Sequence, residues 1–256
     1  MNIAGFYPKK FLGQNFLQDE NIKSKIIQAC NLSNEDFVLE IGPGTGALTK
    51  ELVKIAKGVV AVEKDVRLFQ ILCSTLGEYL NLSIVNQDIL KYRISQSNTK
   101  VIGNIPYNIS SPIIEHLINQ KEKISVIYIS LQKELAQRLI AKPGGKDYGS
   151  LSLFVQYHTS PSIKFIIKSG SFRPRPKVDS AFVELLVRNT PAVSVKDEEL
   201  FFKIIRTAFG QRRKMISNTL KEFLSAEKIC QTGISPSIRP EDLSLQDFAK
   251  LADLAD

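Results

Sequence analysis

The sequence predicts an α/β protein in which helices cover both faces of a parallel sheet, with a smaller helical domain at the C-terminal end. Two observations predict this architecture. Short β-branched runs alternate with helical segments through the first half of the chain, which is typical of a parallel sheet. In addition, a stretch with three closely spaced glycines joins one predicted strand to the next helix.

Length and composition are those of an ordinary globular protein. The 256 residues are 43% hydrophobic and 23% charged, which is enough for one large domain and a small one. The net charge of +8 favours a polyanionic partner. Three widely spaced cysteines argue against a disulfide framework or a zinc site and indicate a reducing compartment, so we expect a cytoplasmic protein. No membrane-spanning run or signal peptide is expected.

The glycine stretch predicts the floor of a nucleotide-sized pocket. Gly42, Gly44 and Gly46 precede a helical segment, Ala47 to Ile55. Glycines permit positive φ there and let a ligand approach the free amides at the start of the helix. The pattern also fits a dinucleotide fingerprint, with Glu63 at the spacing of its ribose-binding acid. A turn without a ligand is less favoured, because three glycines cost backbone entropy that such a turn would not need.

Polar or backbone-exposing positions follow four successive predicted strands. They are Gly42, Glu63, Asp88 and Asn104. Because ligands of parallel sheets bind at the carboxyl ends of the strands, we expect these positions to meet at one site. One acid at each strand end is also compatible with ordinary loop solubility.

The stretch from Gly103 to Ser110 distinguishes between possible cofactors. Pro106 biases Ile105 towards extended geometry and stiffens the backbone beside Asn104. The Asn104 side-chain oxygen and the Ile105 carbonyl would then accept hydrogen bonds from one amino group, and Tyr107 would offer a ring to a flat base. The alternative is a simple turn with a core tyrosine. The stretch lies directly after a predicted strand, and this position favours a role in binding the amino group and the base.

Five segments carry a family resemblance, and they occur in the family's order. They are Gly13-Gln-Asn-Phe-Leu17, Glu40-Ile-Gly-Pro-Gly-Thr-Gly46, Asn104-Ile-Pro-Tyr-Asn-Ile-Ser110, Phe172-Arg-Pro-Arg-Pro-Lys-Val-Asp-Ser180 and Gln211-Arg-Arg-Lys214. With these segments the chain resembles, over almost its full length, the small-subunit ribosomal RNA adenine N6-dimethyltransferases. Wider relatives of that family include the resistance methylases of large-subunit rRNA.

The resemblance implies S-adenosylmethionine as the cofactor, without a metal. It also implies a seven-stranded, Rossmann-like class I methyltransferase sheet whose last strand is antiparallel. Glu63 is suited to accept hydrogen bonds from both ribose hydroxyls and Asp88 from the adenine amino group, while Ile89 packs on the adenine face or belongs only to the core. By similarity the cofactor contacts fall on Asn15, Leu17, Gly42, Gly44, Glu63, Asp88 and Asn104.

The implied activity is transfer of methyl groups to N6 of two adjacent adenosines in the 3′-terminal hairpin of small-subunit rRNA, within an immature small ribosomal subunit. Asn104 and the Ile105 carbonyl, braced by Pro106, would activate the amine. A base inside a duplex must first be swung out, at a cost of roughly a few kcal/mol. Stacking on Tyr107 and Phe172 would offset that cost. For Phe172 the alternative is a hydrophobic plug under its loop.

Basic residues in two places are predicted to contact RNA phosphates. Arg173, Arg175 and Lys177 follow Phe172 in a proline-stiffened loop. The block from Lys203 to Lys221 contains six basic residues and no acidic ones, unlike a typical solvated helix face. Within that block, similarity places RNA contacts at Arg206, Arg212, Arg213 and Lys214.

The domain boundary is predicted at Asn189-Thr-Pro191. It divides a catalytic domain, residues 1–188, from a helical RNA-binding domain, residues 189–256. Strands over 163–167 and 181–187 are expected to close the sheet, with Pro161 outside them. A monomer is expected.

Three other functions are compatible with parts of the pattern. A large-subunit rRNA methylase would share all of the chemistry. A non-catalytic ribosome-assembly or RNA-binding factor could keep the fold, although the intact Asn104 and Tyr107 argue against it. A dehydrogenase is the least favoured, because nothing in the sequence resembles a hydride-transfer site.

Overall fold

The computed structural model describes residues 15–255, and this part of the chain folds as an α/β protein, as predicted. In chain order the strands are β1 (Phe16–Leu17), β2 (Phe37–Ile41), β3 (Gly58–Glu63), β4 (Leu82–Asn86), β5 (Thr99–Asn104), β6 (Ile124–Gln132), β7 (Thr159–Ile167), β8 (Phe172–Arg173) and β9 (Ser180–Val187).

The α-helices alternate with these strands and then continue alone to the C-terminal end. They are α1 (Glu20–Ala29), α2 (Thr49–Ile55), α3 (Val66–Leu76), α4 (Ser110–Ile118), α5 (Lys133–Leu139), α6 (Ser150–His158), α7 (Glu198–Gly210), α8 (Ile216–Thr219), α9 (Ala226–Gln231) and α10 (Leu245–Leu254). Within residues 15–255, no helix is both long enough and apolar enough to cross a membrane.

The main sheet has seven strands in the order β4-β3-β2-β5-β6-β9-β7. The pairs β2 with β3, β3 with β4, β2 with β5 and β5 with β6 are parallel, whereas β9 is antiparallel to β6. The predicted seven-stranded sheet with an antiparallel last strand is therefore confirmed. The chain first builds outward from β2 to β4 and then returns to place β5 on the other side of β2, and this switch point is where open parallel sheets bind ligands.

The glycine turn after β2 adopts the backbone conformation that its residue types predict. The φ angles of Gly42, Gly44 and Gly46 are +63°, +61° and +81°, in a region that residues with a Cβ adopt at a cost. A Cβ at Gly46 would lie 2.7 Å from Leu76 Cδ1 and 3.1 Å from Leu72 Cδ2. The absence of a side chain at this position thus lets the start of α2 pack closely against α3.

A second, two-stranded sheet was not predicted. Here β1 pairs with β8 in antiparallel fashion, with Phe16 opposite Arg173 and Leu17 opposite Phe172. The Gln18 amide donates to the carbonyl of Ser171 at 2.9 Å and extends the pairing. Strands of two residues have no periodicity to detect, so only the tertiary structure reveals that these distant segments meet.

Pro161 lies inside β7, and the expectation that it would stand outside the closing strands is wrong. The strand is the last one in the sheet order, so one of its sides has no neighbour in that sheet. Proline lacks an amide donor, and an edge strand tolerates that loss where a central strand would not.

The chain divides into two compact units. Among the described residues, the first contains 15–136 together with 162–187, and the second contains 137–161 together with 188–255. Residues 137–161 were expected in the catalytic domain, but they belong to the second unit. Within the second unit, Tyr157 packs on Phe201, and the Tyr148 hydroxyl donates to the carbonyl of Leu243 at 2.9 Å. These contacts tie the inserted segment to the C-terminal helices.

Replacing Gly46 with alanine is expected to destabilise the protein more than the same change at Gly233. Both glycines have a φ of +81°, so both variants carry the backbone strain, but a Cβ at Gly233 meets nothing within 4 Å. The buried leucines beside Gly46 should add about 1 to 3 kcal/mol through overpacking. Urea unfolding of both variants measures the difference in the free energy of unfolding. Equal losses of stability would show that a Cβ at Gly46 does not overpack the contact between α2 and α3.

Candidate active site

A cavity opens in the first unit at the carboxyl ends of the parallel strands. It brings together most of the residues that were predicted to bind a cofactor or to take part in chemistry. Its lining includes Asn15, Phe16, Gly42, Gly44, Glu63, Asp88, Ile89, Asn104, Ile105, Pro106 and Tyr107.

The Glu63 carboxylate is held against the glycine turn. One oxygen accepts a hydrogen bond from the Gly44 amide at 3.2 Å, and the other accepts one from the Asp65 amide at 2.8 Å. Burial raises the pKa of Glu63, while these two amides act in the opposite direction. Each carboxylate oxygen has a second lone pair, so the oriented side chain still has acceptor capacity for ligand hydroxyls.

Asp88 presents a second carboxylate to the same cavity. Its oxygens accept from Lys64 Nζ at 2.7 Å and from the Leu90 amide at 3.1 Å. Partial burial alone would raise the pKa of Asp88, but these two hydrogen bonds outweigh burial and hold the pKa below its usual range. Asp88 is therefore an ionised acceptor at neutral pH, and its neighbour Ile89 adds a buried apolar surface to the lining.

Asn104 ends β5, and its side-chain amide is fixed by one hydrogen bond. Its Nδ2 donates to the carbonyl of Asn15 at 2.8 Å, which sets the rotation of the amide and keeps Oδ1 as the acceptor. The following turn is fixed as well, because the Pro106 carbonyl accepts from the Ile109 amide at 3.3 Å and from the Ser110 hydroxyl at 3.0 Å. The turn therefore holds its shape through contacts within the protein.

Tyr107 begins the short 3-10 turn Tyr107–Ile109, and its half-buried ring belongs to the cavity lining. Its hydroxyl lies 2.5 Å from the Ser180 hydroxyl. Burial raises the pKa of Tyr107, so the phenol is neutral at physiological pH. The ring thus lies where the sequence predicted an aromatic surface for a flat base.

Phe172 does not lie where a base could stack on it. Its side chain is 0% exposed, and it packs in the core of the first unit with Ile167 and Phe182. The prediction that Phe172 clamps a base is corrected, and the alternative of a hydrophobic plug beneath the loop fits the structure. The pairing with β1 pulls this residue inward, and residue type alone did not show that.

The N-terminal motif contributes one side chain that was not expected, since Phe16 lines the cavity. Leu17 is buried in the core of the first unit and lines a smaller cavity, which shares Gly42, Gly44 and Asn104 with the first. A Cβ on Gly44 would lie 3.1 Å from the Phe16 ring, so the ring closes over the glycine turn. The sequence shows an aromatic residue in the Gly13 to Leu17 motif, but it does not show which residue of the motif faces the cavity. Gly13 and Gln14 lie outside the described residues.

The basic residues after Phe172 remain accessible. Arg173, Arg175 and Lys177 are exposed. Arg173 Nη1 donates to the Phe172 carbonyl at 3.0 Å, and Arg175 Nε donates to the Ser169 hydroxyl at 3.0 Å. These bonds order the loop while the charges stay at the surface.

Arg212 is engaged inside the second unit, in contrast to Arg213 and Lys214, which are exposed, as is Arg206. The Arg212 guanidinium forms an ion pair with Glu241. It also donates to the carbonyl of residue 146 at 2.7 Å and to that of residue 145 at 3.1 Å. The prediction that Arg212 grips RNA is therefore corrected to a role in holding the loop around residues 145 and 146.

Glu40, which was not predicted to matter, lies in β2 directly before the glycine turn. It is 2% exposed. Burial raises the pKa of Glu40 to about 7 and the nearby Glu63 carboxylate adds to the rise, while the neighbouring Thr49 acts in the opposite direction. The floor of the site therefore contains an acid that holds its proton near neutral pH.

The sheet order, the glycine turn and the acidic strand ends around one cavity define the chain as a class I methyltransferase. Its family follows from comparison with known proteins. The family profile described as ribosomal RNA adenine dimethylase matches residues 5–256, and the chain belongs to that family.

Individual relatives agree with this assignment. The ribosomal RNA small subunit methyltransferase A of Anoxybacillus flavithermus is 43% identical over 97% of this chain and 90% of its own length. The protein of the same name from Staphylococcus haemolyticus is 44% identical, over 96% and 90%. Among solved structures, a dimethyladenosine transferase from Plasmodium falciparum has a TM-score of 0.78 at 28% identity, covering 92% of this chain and 95% of its own. The 23S rRNA methyltransferase ErmE has a TM-score of 0.75 at 26% identity, covering 94% and 99%.

Replacing Glu40 with glutamine should remove a pH dependence from the stability of the ligand-free protein. Because the folded pKa is about 7 and the ordinary value is 4.5, the folded state binds the proton more tightly, and stability falls as pH rises through 7. The advantage of Glu40→Gln over wild type should therefore grow from pH 5 to pH 8.5, by on the order of 3 kcal/mol. Urea unfolding at both values measures it, with the exposed Glu51→Gln as the control. Parallel pH profiles would contradict the raised pKa.

Proposed function

We propose that this protein transfers methyl groups from S-adenosylmethionine to N6 of two adjacent adenosines in the 3′-terminal hairpin of small-subunit rRNA, giving N6,N6-dimethyladenosine. It acts in the cytoplasm, as a monomer, on an immature small ribosomal subunit. The observation that carries the proposal is the Asn104 side-chain amide. Its nitrogen donates a hydrogen bond to the Asn15 carbonyl, while its oxygen remains an acceptor in the cavity that Tyr107 also lines. The family and the names of the relatives support the substrate class.

The residues that line the cavity fit the cofactor. Glu63 has lone pairs for the two ribose hydroxyls, and Asp88 is an ionised acceptor for the adenine amino group. Gly44 leaves room for close approach to the backbone, since even a Cβ there would crowd the ring of Phe16. Ile89 supplies an apolar surface for the base. When bound, S-adenosylmethionine supplies an electrophilic methyl group on a sulfonium.

The chemistry of the target amine explains the need for Asn104. The lone pair of an adenine N6 is delocalised into the ring, which makes the amine a poor nucleophile. Hydrogen bonds accepted by the Asn104 side-chain oxygen and by the Ile105 carbonyl pull the amine towards tetrahedral geometry and stabilise the positive charge that grows on it. The N6 proton becomes acidic only as that charge develops, so no side chain has to remove it beforehand.

Tyr107 and the surface cations hold the RNA. Swinging the base out of its stack costs roughly a few kcal/mol. Stacking on a single ring returns about 1 to 3 kcal/mol, and with Phe172 buried only Tyr107 of the two is available. Phosphate contacts must therefore contribute the remainder. The exposed candidates are Arg173, Arg175, Lys177, Arg206, Arg213 and Lys214.

A second candidate function is methylation of large-subunit rRNA, which the likeness to ErmE favours. Sequence identities above 40% to proteins named small subunit methyltransferases favour the first. The discriminating experiment incubates the protein and labelled S-adenosylmethionine with unmethylated small subunits, large subunits or naked rRNA, and maps dimethyladenosine on the products. Label confined to large subunits would reject the proposed substrate. Its absence from every substrate would favour a non-catalytic assembly factor.

Asn104→Ala is expected to lower the rate of methyl transfer by on the order of 100-fold or more, because it removes a preorganised acceptor at the reacting nitrogen. Single-turnover rates with saturating small subunits measure the loss. Asn119→Ala, at an exposed position after α4, serves as the control and should retain the wild-type rate. Full activity of a folded Asn104→Ala variant would reject the assignment.

Two adjacent arginines should behave differently when each is replaced by alanine. Arg213→Ala should reduce the slope of log affinity for rRNA against log salt by about 0.7 to 0.9, since it removes one phosphate contact. Arg212→Ala should leave that slope unchanged and lower the stability of the protein by about 1 kcal/mol or more, because three internal hydrogen bonds are lost. Filter binding at several salt concentrations and thermal unfolding provide the two readouts. Equal slopes for the two variants would return Arg212 to the RNA surface.

A further inference from the structure

Ser180 has no part in the proposed chemistry, yet it contacts the ring that is proposed to hold the target base. It opens β9, opposite Gln132 of β6, and its side chain is 0% exposed. Its Oγ lies 2.5 Å from the hydroxyl oxygen of Tyr107, within hydrogen-bonding distance. A fully buried polar side chain thus pairs with a residue of the cavity lining.

The hydrogen bond to Ser180 holds the Tyr107 ring at its hydroxyl, which is the end farthest from the backbone. The main chain at Tyr107 is fixed by the turn that Pro106 closes, but a tyrosine side chain still rotates about two torsions. A hydrogen bond at the tip of the ring restricts the first of these torsions, because that torsion swings the hydroxyl oxygen through space, whereas the oxygen lies on the axis of the second. It therefore determines where the ring lies in the wall of the cavity.

Ser180 is itself a rigid point of attachment. Its backbone lies in the ladder between β6 and β9. The preceding residue, Asp179, accepts hydrogen bonds from the Ser169 amide at 2.9 Å and from Lys168 Nζ at 3.0 Å, and its carbonyl accepts from the Lys133 amide at 3.0 Å. Movement of Ser180 would break these contacts, so Tyr107 is the partner that adapts.

We propose that Ser180 is a positioning residue, which sets the position of the Tyr107 ring for stacking on the flipped target adenine. This inference rests on the proposed function, because it assigns Ser180 to the nucleic-acid step of that reaction. Ser180 is not part of the cavity lining, which contains Glu63 and Asp88. Replacing it should therefore affect the RNA substrate and leave cofactor binding unaltered.

A double-mutant cycle tests the proposal with the full-length protein and unmethylated small subunits. Ser180→Ala and Tyr107→Phe each remove the bond and should each lower kcat/KM for small subunits by about 2- to 10-fold. The double variant should lose no more kcat/KM than the more impaired of the two single variants, because both changes remove the same interaction. Tyr107→Ala, which also removes the ring, should lose more, up to about 100-fold.

Cofactor binding and folding provide the readouts that separate positioning from a purely structural role. The Kd for S-adenosylmethionine should be the same in wild type, Ser180→Ala and Tyr107→Phe. The matched control is Ser125→Ala in β6, where a half-buried strand serine donates to the carbonyl of Thr99 at 3.4 Å at the opposite end of the strand. This control should retain wild-type kcat/KM. A structural role alone would lower the melting temperature of Ser180→Ala without affecting kcat/KM of the folded fraction.

Several results would overturn the proposal. Wild-type kcat/KM in a folded Ser180→Ala variant is one, and independent, multiplicative losses in the double variant are another. If Ser180→Ala fails to fold, Tyr107→Phe removes the bond from the ring side, and wild-type activity there would be equally decisive against it. Methylation of large subunits alone would reject the proposed substrate instead, and the same cycle is then measured on that substrate.

Discussion

The parallel pairing of β2 with β5 is the constraint on which the site depends. It places Ile41 opposite Gly103, so the glycine turn and Asn104 leave the sheet side by side. A shift of one residue in this register would turn every side chain of the strand to the other face and separate the two motifs. The buried side chains of both strands oppose such a shift, because their close packing on the two faces of the sheet would be lost. Packing in the core thereby fixes the geometry of the polar groups at its edge.

A second set of contacts closes the site from the N-terminal side. Asn15 accepts from Asn104, Phe16 lies over Gly44, and the short β1 strand pairs with β8. The residue that is proposed to activate the amine is thus held by the segment that covers the glycine turn. The same pairing draws Phe172 into the core and leaves the following basic residues at the surface. One small sheet therefore connects the cofactor side of the cavity with the surface proposed for RNA.

Two corrections show how environment overrides residue type. Phe172 and Tyr107 are both aromatic residues in family motifs, but one is enclosed by apolar neighbours and the other is bound at its hydroxyl and lines the cavity. Arg212 and Arg213 are adjacent and chemically identical, yet the first has an acidic partner and two carbonyls within reach, whereas the second is exposed. Glu40 is the converse case. Its position in a predicted strand did not indicate a functional role, but burial beside Glu63 raises its pKa to about 7.

By itself, the sequence determined the α/β class, the strand ends that carry Gly42, Glu63, Asp88 and Asn104, and the positive φ of the glycine turn. These features follow from local periodicity, from the freedom of glycine and from the stiffness that proline gives to its neighbour. The tertiary structure alone decided that 137–161 joins the C-terminal unit, that β1 meets β8, and which aromatic and basic side chains face outward. Those outcomes depend on contacts between residues far apart in the chain, and neither spacing nor composition records such contacts.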